Sequence, residues 1–278
     1  MLFNAVIGNP PYNDDIYLQF VSKSLDMIAD DGVSLMVTPA KWWLKEDDDN
    51  RRFRENVVPH MSEIVYFFDS QDVFNIALNG GVAFYTIDKG VHSEKWLTNR
   101  CVKADGFSSD RRLVDCSTNL FLQSELCRSI CDKVGCFDKD FKAFIPRWEP
   151  ENKEVNLFVT TVAGISGGRT FSNDGNLLML SVVNKVRNGQ FRTQDFKCIY
   201  SADSEEEADY FISWAYTKFI RFMLMPMWHS YHINNNKTWS CVPHPGKFDH
   251  VFSDEEFYAT YNLNEDEREF IESVIKEK

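Results

Sequence analysis

Ala5-Val6-Ile7-Gly8-Asn9-Pro10-Pro11-Tyr12 is the stretch whose reading decides the fold. Three apolar residues at 5–7 read as a short strand. Two consecutive prolines forbid its continuation, because each removes a backbone N–H and fixes φ. The stretch is therefore a strand running into a rigid loop. Downstream, Ile16, Phe20, Val21, Leu25 and Ile28 recur at three and four, which predicts a helix over 16–29. Asp30-Asp31-Gly32 is expected to end it, and Val33 to Thr38 to form a second strand closed by Pro39. A further helix is expected at 51–61, with strands at Glu63 to Phe68 and Val82 to Ile87. A loop carrying Phe74 and Asn79-Gly80-Gly81 joins those two strands. Strands alternating with helices at this spacing imply α/β with a largely parallel sheet.

Past Asp88-Lys89-Gly90 the pattern changes, so a boundary is expected near 97. Residues 119–134 read as a helix, and Asn156 to Val162 and Leu177 to Val183 as β-like runs. Residues 204–225 read as one amphipathic helix with an acidic start. The segments 253–261 and 264–276 each open on Ser or Asn followed by acids, the pattern of an N-capped helix.

The chain has 278 residues and a net charge of −12. By region the net charge is −7 over 1–97, +3 over 98–200 and −8 over 201–278. An acidic protein makes a poor non-specific nucleic-acid coat. The middle third is where a polyanion would sit with least repulsion. No apolar run is long enough to span a membrane, and the start lacks a signal peptide's basic and apolar regions. A cytoplasmic protein that does not enter membranes is the expectation. Of 7 cysteines, Cys127, Cys131 and Cys136 form a cluster. No second pair follows them in sequence, so they read as buried reduced thiols, with no metal expected. His229 and His232 likewise lack a nearby acid before Asp249.

Asn9-Pro10-Pro11-Tyr12 suits chemistry on an exocyclic amine. The Asn9 side-chain oxygen and the Pro10 carbonyl both accept hydrogen bonds from an NH2 group and would aim its lone pair at an electrophile. The prolines hold those acceptors rigidly. Tyr12 offers a ring on which a base extruded from a duplex stacks. A plain strand-ending turn is the alternative reading of the four residues.

In its order of segments the sequence resembles the γ-type N6-adenine DNA methyltransferases of restriction–modification systems. Val6 to Tyr12 resembles their catalytic motif, and Asp31 to Pro39 the strand that follows it. Asp72-Val73-Phe74 with Asn79 to Tyr85 resembles a later loop and strand. Thr217 to Phe222 and Asn236 to Pro243 resemble the C-terminal helix and strand, and Asp254 to Tyr258 the tail. The resemblance implies catalytic roles for Asn9, Pro10, Pro11 and Tyr12, and base stacking by Tyr12 and Phe74. It also sets Lys218, Arg221, His229 and Lys237 against DNA phosphates. Lys185, Arg187, Arg192 and Lys197, in the basic third, are the best candidates for further contacts.

These methyltransferases hold S-adenosylmethionine at a strand and Gly-rich turn, usually ahead of the catalytic motif. Eight residues precede Asn9 here. The Gly cluster at 164–168 has no acid a strand later and reads as a turn. A sheet starting at this strand would also leave an apolar edge uncovered. A split enzyme, a remnant without catalysis and a shortened reading frame all fit that pattern.

The expected architecture is α/β, a partial Rossmann-like methyltransferase sheet over 1–97, followed by an α+β target-recognition region over 98–278 with a helical end. The expected function is adenine N6 methylation of double-stranded DNA. A second polypeptide would carry the Gly-rich cofactor motif. The alternative is a catalytically inactive methyltransferase-like DNA- or subunit-binding protein.

Overall fold

The computed structural model describes residues 2–43, 45, 47–67, 70, 73–74, 78, 81–92, 97–103, 106–107, 112–114, 125–160, 179–180, 182–187, 196–228, 233 and 235–276. The chain forms two compact units, Met1–Gln123 and Ser124–Lys278.

The first unit opens with β1 (Phe3–Gly8), then α1 (Tyr17–Met27) and β2 (Ile28–Pro39). It continues through α2 (Asp48–Asn56), β3 (Met61–Phe67), β4 (Val82–Asp88), β5 (Leu97–Lys103), β6 (Gly106–Phe107) and β7 (Arg112–Val114). In space the strands follow the order β1-β2-β4-β3-β5-β6, with β7 also on β5. The α/β class holds, but the sheet is mixed rather than largely parallel. β1–β2 and β3–β5 are parallel, whereas β4 runs antiparallel to both β2 and β3. The described residues of the loop before β4 turn on Ser70. Val73 N and Phe74 N donate to Ser70 O, and Leu78 N donates to Ser70 Oγ at 2.7 Å. β4 then pairs antiparallel with β3 from Phe67↔Val82 onward.

α1 ends at Met27 and β2 begins directly at Ile28, so Asp30-Asp31-Gly32 is strand rather than helix stop. Phe3 pairs with Ile28 and Ala5 with Val33, an irregularity that absorbs those extra residues. Gly32 makes the close approach possible: a Cβ there would lie 2.8 Å from Phe3 O. α2 starts earlier than its sequence pattern suggests, because Asp47 caps it by accepting from Asn50 N. The boundary expected at 97 falls on β5, which pairs with β3 from Glu63↔Thr98 onward. Pairing with a distant strand keeps those residues in the first unit.

The second unit holds α3 (Glu125–Val134), β8 (Val155–Thr160), β9 (Val183–Arg187) and β10 (Phe196–Ala202). The three strands form an antiparallel sheet ordered β10-β8-β9. Then follow α4 (Glu205–Tyr216), α5 (Lys218–Met223), α6 (Asn236–Trp239), α7 (Asp254–Thr260) and α8 (Glu265–Val274). The helix expected over 204–225 is two helices. Thr217 breaks it at φ −57, ψ 145, donating to Trp214 O and accepting from Ile220 N. Both capped terminal helices form as the sequence pattern predicts. Asn264 and Glu267 make a full capping box.

An aromatic cluster forms the core of this unit. Phe144 packs on Trp214, Trp239 and Phe211 with centroids 4.9, 5.5 and 5.6 Å away. Tyr200 stacks on Phe211 at 4.7 Å. Among the described residues no helix is long and apolar enough to cross a membrane.

Candidate active site at the end of β1

The motif sits where β1 stops. Gly8, the last strand residue, pairs with Met36, and a Cβ there would lie 3.0 Å from Met36 Sδ. The missing side chain lets β1 deliver the loop tightly against β2. Pro10 is buried and anchors the turn, while Asn9 and Pro11 are exposed and Tyr12 is half-buried.

Tyr12 Oη donates to Asn9 Oδ1 at 2.6 Å and has a longer contact of 3.4 Å to Val37 O. The Asn9 carboxamide is therefore oriented from within its own loop. Burial pushes the Tyr12 phenol up, so it stays a donor at neutral pH. The Tyr12 ring meets Tyr17 edge to face at 6.4 Å.

Asp14 and Asp15 follow with φ of 49° and 60°. For a non-glycine residue this left-handed conformation costs energy and needs external support. Ion pairs of Asp15 with Lys41 and, at 2.5 Å, Lys45 supply it. Burial alone would raise the Asp15 carboxyl, but hydrogen bonds and charges from the two lysines outweigh it and hold the group low. The loops after β1 and β2 are thereby tied together.

Behind the motif lies an aromatic wall. Tyr17, Trp42 and Tyr85 are fully buried, and Trp42 packs on Phe53 at 5.2 Å and Tyr85 at 5.9 Å. Tyr85 Oη and Thr38 Oγ1 share a hydrogen bond of 3.1 Å. A 420 Å³ cleft between α1 and α2 is lined in part by Asp14, Asp15, Asp26 and Asp49, with Lys23 and Arg52. Its acidic excess disfavours phosphate.

Phe74 belongs to the same sheet end. It stacks on Phe84 at 6.4 Å, and Phe84 pairs with Val37, whose carbonyl faces Tyr12. Asn9, Pro10, Pro11 and Tyr12 share the loop after β1, and Phe74 lies against Phe84 of β4, the strand next to β2.

The basic candidates of the second unit are less assembled. Lys185 pairs with Glu205 at 3.2 Å and Asp209 at 2.5 Å, and Arg187 with Glu205 at 3.2 Å. Lys237 is half-buried at α6. Lys218 is nearly covered and pairs with Glu272.

Arg221 corrects the sequence reading: it is 1% exposed and donates Nε to Tyr216 O and Thr217 O, at 3.1 and 3.3 Å. Its apolar neighbours Phe219, Ile220, Phe222 and Met223 all go inward and take it along, so it ties α4 to α5 instead of meeting phosphate. Those neighbours were the signal in the sequence. Arg192, His229, His232 and the Gly cluster at 164–168 lie outside the described residues.

Among the described residues no group of three or more His, Cys, Asp or Glu is arranged to hold a metal ion. The described residues also include no Gly-rich turn between a strand and a helix beside Asn9. The described residues therefore offer no ready seat for S-adenosylmethionine.

Residues 13–74 match the family described as Eco57I restriction-modification methylase. That stretch starts one residue after Tyr12. An adenine-specific methylase of Mycoplasma pneumoniae, itself uncharacterised, is 29% identical over 138 residues, which is 44% of this chain and 31% of that protein. The chain thus spans about a third of that curated relative.

Two solved structures are similar over part of the chain. One is the M protein of the type I restriction enzyme EcoKI, 16% identical over 36% of this chain and 26% of that one, with TM-score 0.28. The other is the DrdV–DNA complex, 13% identical over 57% and 22%, with TM-score 0.30. The family match over residues 13–74 and the adenine-specific relative bear out the resemblance over those stretches: there the chain is similar to a restriction-modification methylase family and to an adenine-specific methylase.

Proposed function

We propose that the chain supplies the amine-orienting half of a DNA adenine-N6 methyltransferase of a restriction–modification system. A second polypeptide would supply the half that binds S-adenosylmethionine, the methyl donor. The observation that carries this reading is the pair formed by Asn9 and Tyr12 at the end of β1. Tyr12 donates to one lone pair of Asn9 Oδ1 and leaves the other for a substrate amine. The Pro10 carbonyl accepts the second amine hydrogen. Tyr12 and Phe74 offer ring faces to a base flipped out of the double helix. Methylation of an amine polarised in this way needs no general base, since the proton leaves afterwards.

The need for a partner is supported by the sheet. β1 is an edge strand in the described sheet, and its flank is apolar and bare: Leu2 is 56% exposed, Phe3 41% and Ile7 78%. Leu35 on β2, the register partner of Ile7, extends the patch. Exposed apolar surface beside an open strand edge is a docking surface. Residues 98–278 would read the DNA target, with Lys185, Arg187 and Lys237 as the described phosphate candidates. The cell compartment would be the cytoplasm, where the DNA is.

Asn9→Ala is expected to abolish methylation by the reconstituted enzyme while leaving folding intact. Retained methylation would sink the assignment. Calorimetric titration of S-adenosylmethionine into the chain alone tests the partner. No binding is expected, and tight binding would overturn the split reading. The second reading, a non-catalytic DNA- or subunit-binding protein, is favoured by the absence of a Gly-rich turn from the described residues. It predicts no methylation from any reconstitution.

A further inference from the structure

The second unit brings Cys241 to the sequence cluster of Cys127, Cys131 and Cys136. Cys127 and Cys131 lie one turn apart on α3. Gly135 then ends the helix at φ +68°, and Cys136 N reaches back to Cys131 O at 3.2 Å. Separately, Phe144 N donates to Val242 O at 2.8 Å and His244 N to Lys142 O at 2.9 Å. That pairing seats the segment bearing Cys241 against residues 142–144, a few residues past α3. Thiol–thiol hydrogen bonds join Cys127 to Cys131, Cys131 to Cys136, and Cys136 to Cys241. All four cysteines are thiols outside any disulfide and buried, Cys136 the least so at 6%.

We propose that Cys136 and Cys241 are a redox pair, which a peroxide closes into a disulfide tying the end of α3 to the segment after α6. A disulfide needs two Cβ atoms that face one another. Cys127 and Cys131 leave one helix in the same direction, and Cys136 leaves the turn that follows it. Cys241 alone approaches from a separate segment.

The chemistry balances with hydrogen peroxide as oxidant. The Cys136 sulfur attacks one peroxide oxygen, the O–O bond breaks, and Cys136 becomes a sulfenic acid with release of water. The Cys241 sulfur then attacks Cys136 Sγ, the S–O bond breaks, and a second water leaves. Two thiols have lost two electrons and two protons to one peroxide. The neighbouring thiol thus intercepts the sulfenic acid before further oxidation. Neighbouring thiols and burial hold Cys136 and Cys241 protonated, so closure is slow at neutral pH and quickens as pH rises.

The test needs no methyltransferase activity, so its outcome is separate from the proposed function. The folded full chain is treated with hydrogen peroxide, alkylated, digested without reductant and mapped. A linked peptide joining Cys136 to Cys241 is expected. It comes with a rise of several degrees in Tm that dithiothreitol reverses, because the bond closes a long loop. Cys241→Ser should abolish the link and the rise, and Cys198→Ser, at a buried thiol outside the cluster, should keep both.

The wild-type map decides even if Cys241→Ser fails to fold. A Cys131–Cys136 link, sulfinic acid at Cys136 beside a free Cys241, or no oxidation at all would each overturn the pair. Stoichiometric zinc retained in a native mass spectrum after zinc addition, with the link blocked, would overturn it in favour of a metal site.

Discussion

The flank of β1 and the aromatic core of the second unit are built from the same kinds of residue and meet opposite fates. Ile7, Phe3 and Phe20 stand in solvent, while Phe211, Trp214 and Trp239 are wholly covered. In the second unit the rings of the cluster are buried against one another. Caps at Ser204, Thr217, Asn235, Ser253 and Asn264 satisfy the helix starts around it. In the first unit the sheet stops at a strand whose outer edge has no described partner. The difference separates residues that hold a fold from residues left in solvent.

The sharpest break of this comparison is Trp214→Ala. It removes the indole from a packed cluster and should cost about 3–5 kcal/mol in urea unfolding. A cost near zero would mean the core is not packed as described.

Next comes Glu267→Ala. The buried Glu267 carboxylate accepts from Ser129 Oγ at 2.6 Å, Lys133 Nζ at 2.7 Å and Asn264 N at 2.7 Å, joining α8 to α3. Its loss strands those donors, for about 1–3 kcal/mol by the same measurement.

An acid titration follows. Burial would raise the Glu267 carboxyl, but the hydrogen bonds and the Lys133 charge outweigh it and hold the group low. A depressed carboxyl contributes stability above its unfolded pKa of about 4.3, and that contribution fades as pH falls through the folded value. Tm should therefore drop on acidification below about pH 4.3, and Glu267→Gln should flatten that drop.

The smallest effect is expected at the edge. Ile7→Ser should change the stability of the isolated chain by no more than about 0.5 kcal/mol while reducing self-association in light scattering. A cost comparable to Trp214→Ala would show that β1 is already covered.

What was legible in the sequence was local. The strand and rigid loop at 5–12 followed from two prolines after an apolar run. The terminal helices followed from Ser253 and Asn264 ahead of acids. The one-helix reading of 204–225 failed because periodicity does not register a single Thr that turns its hydroxyl on its own backbone. The Asp-Asp-Gly reading failed because Gly32 answers to Phe3, far away in sequence. Arg221 was assigned by charge, and its neighbours decided its burial. The candidate site itself was readable at Asn9 to Tyr12, while the lysine clamp on Asp15 required the fold.

The sequence alone determined the motif, its strand and its caps, because each depends on φ restriction and hydrogen bonds within a few residues. Only the tertiary structure decided the mixed strand order, the exposure of β1, the burial of Arg221 and the meeting of Cys241 with Cys136. Those depend on which distant segments share a face, and burial and pairing energies act between neighbours in space whatever their separation along the chain.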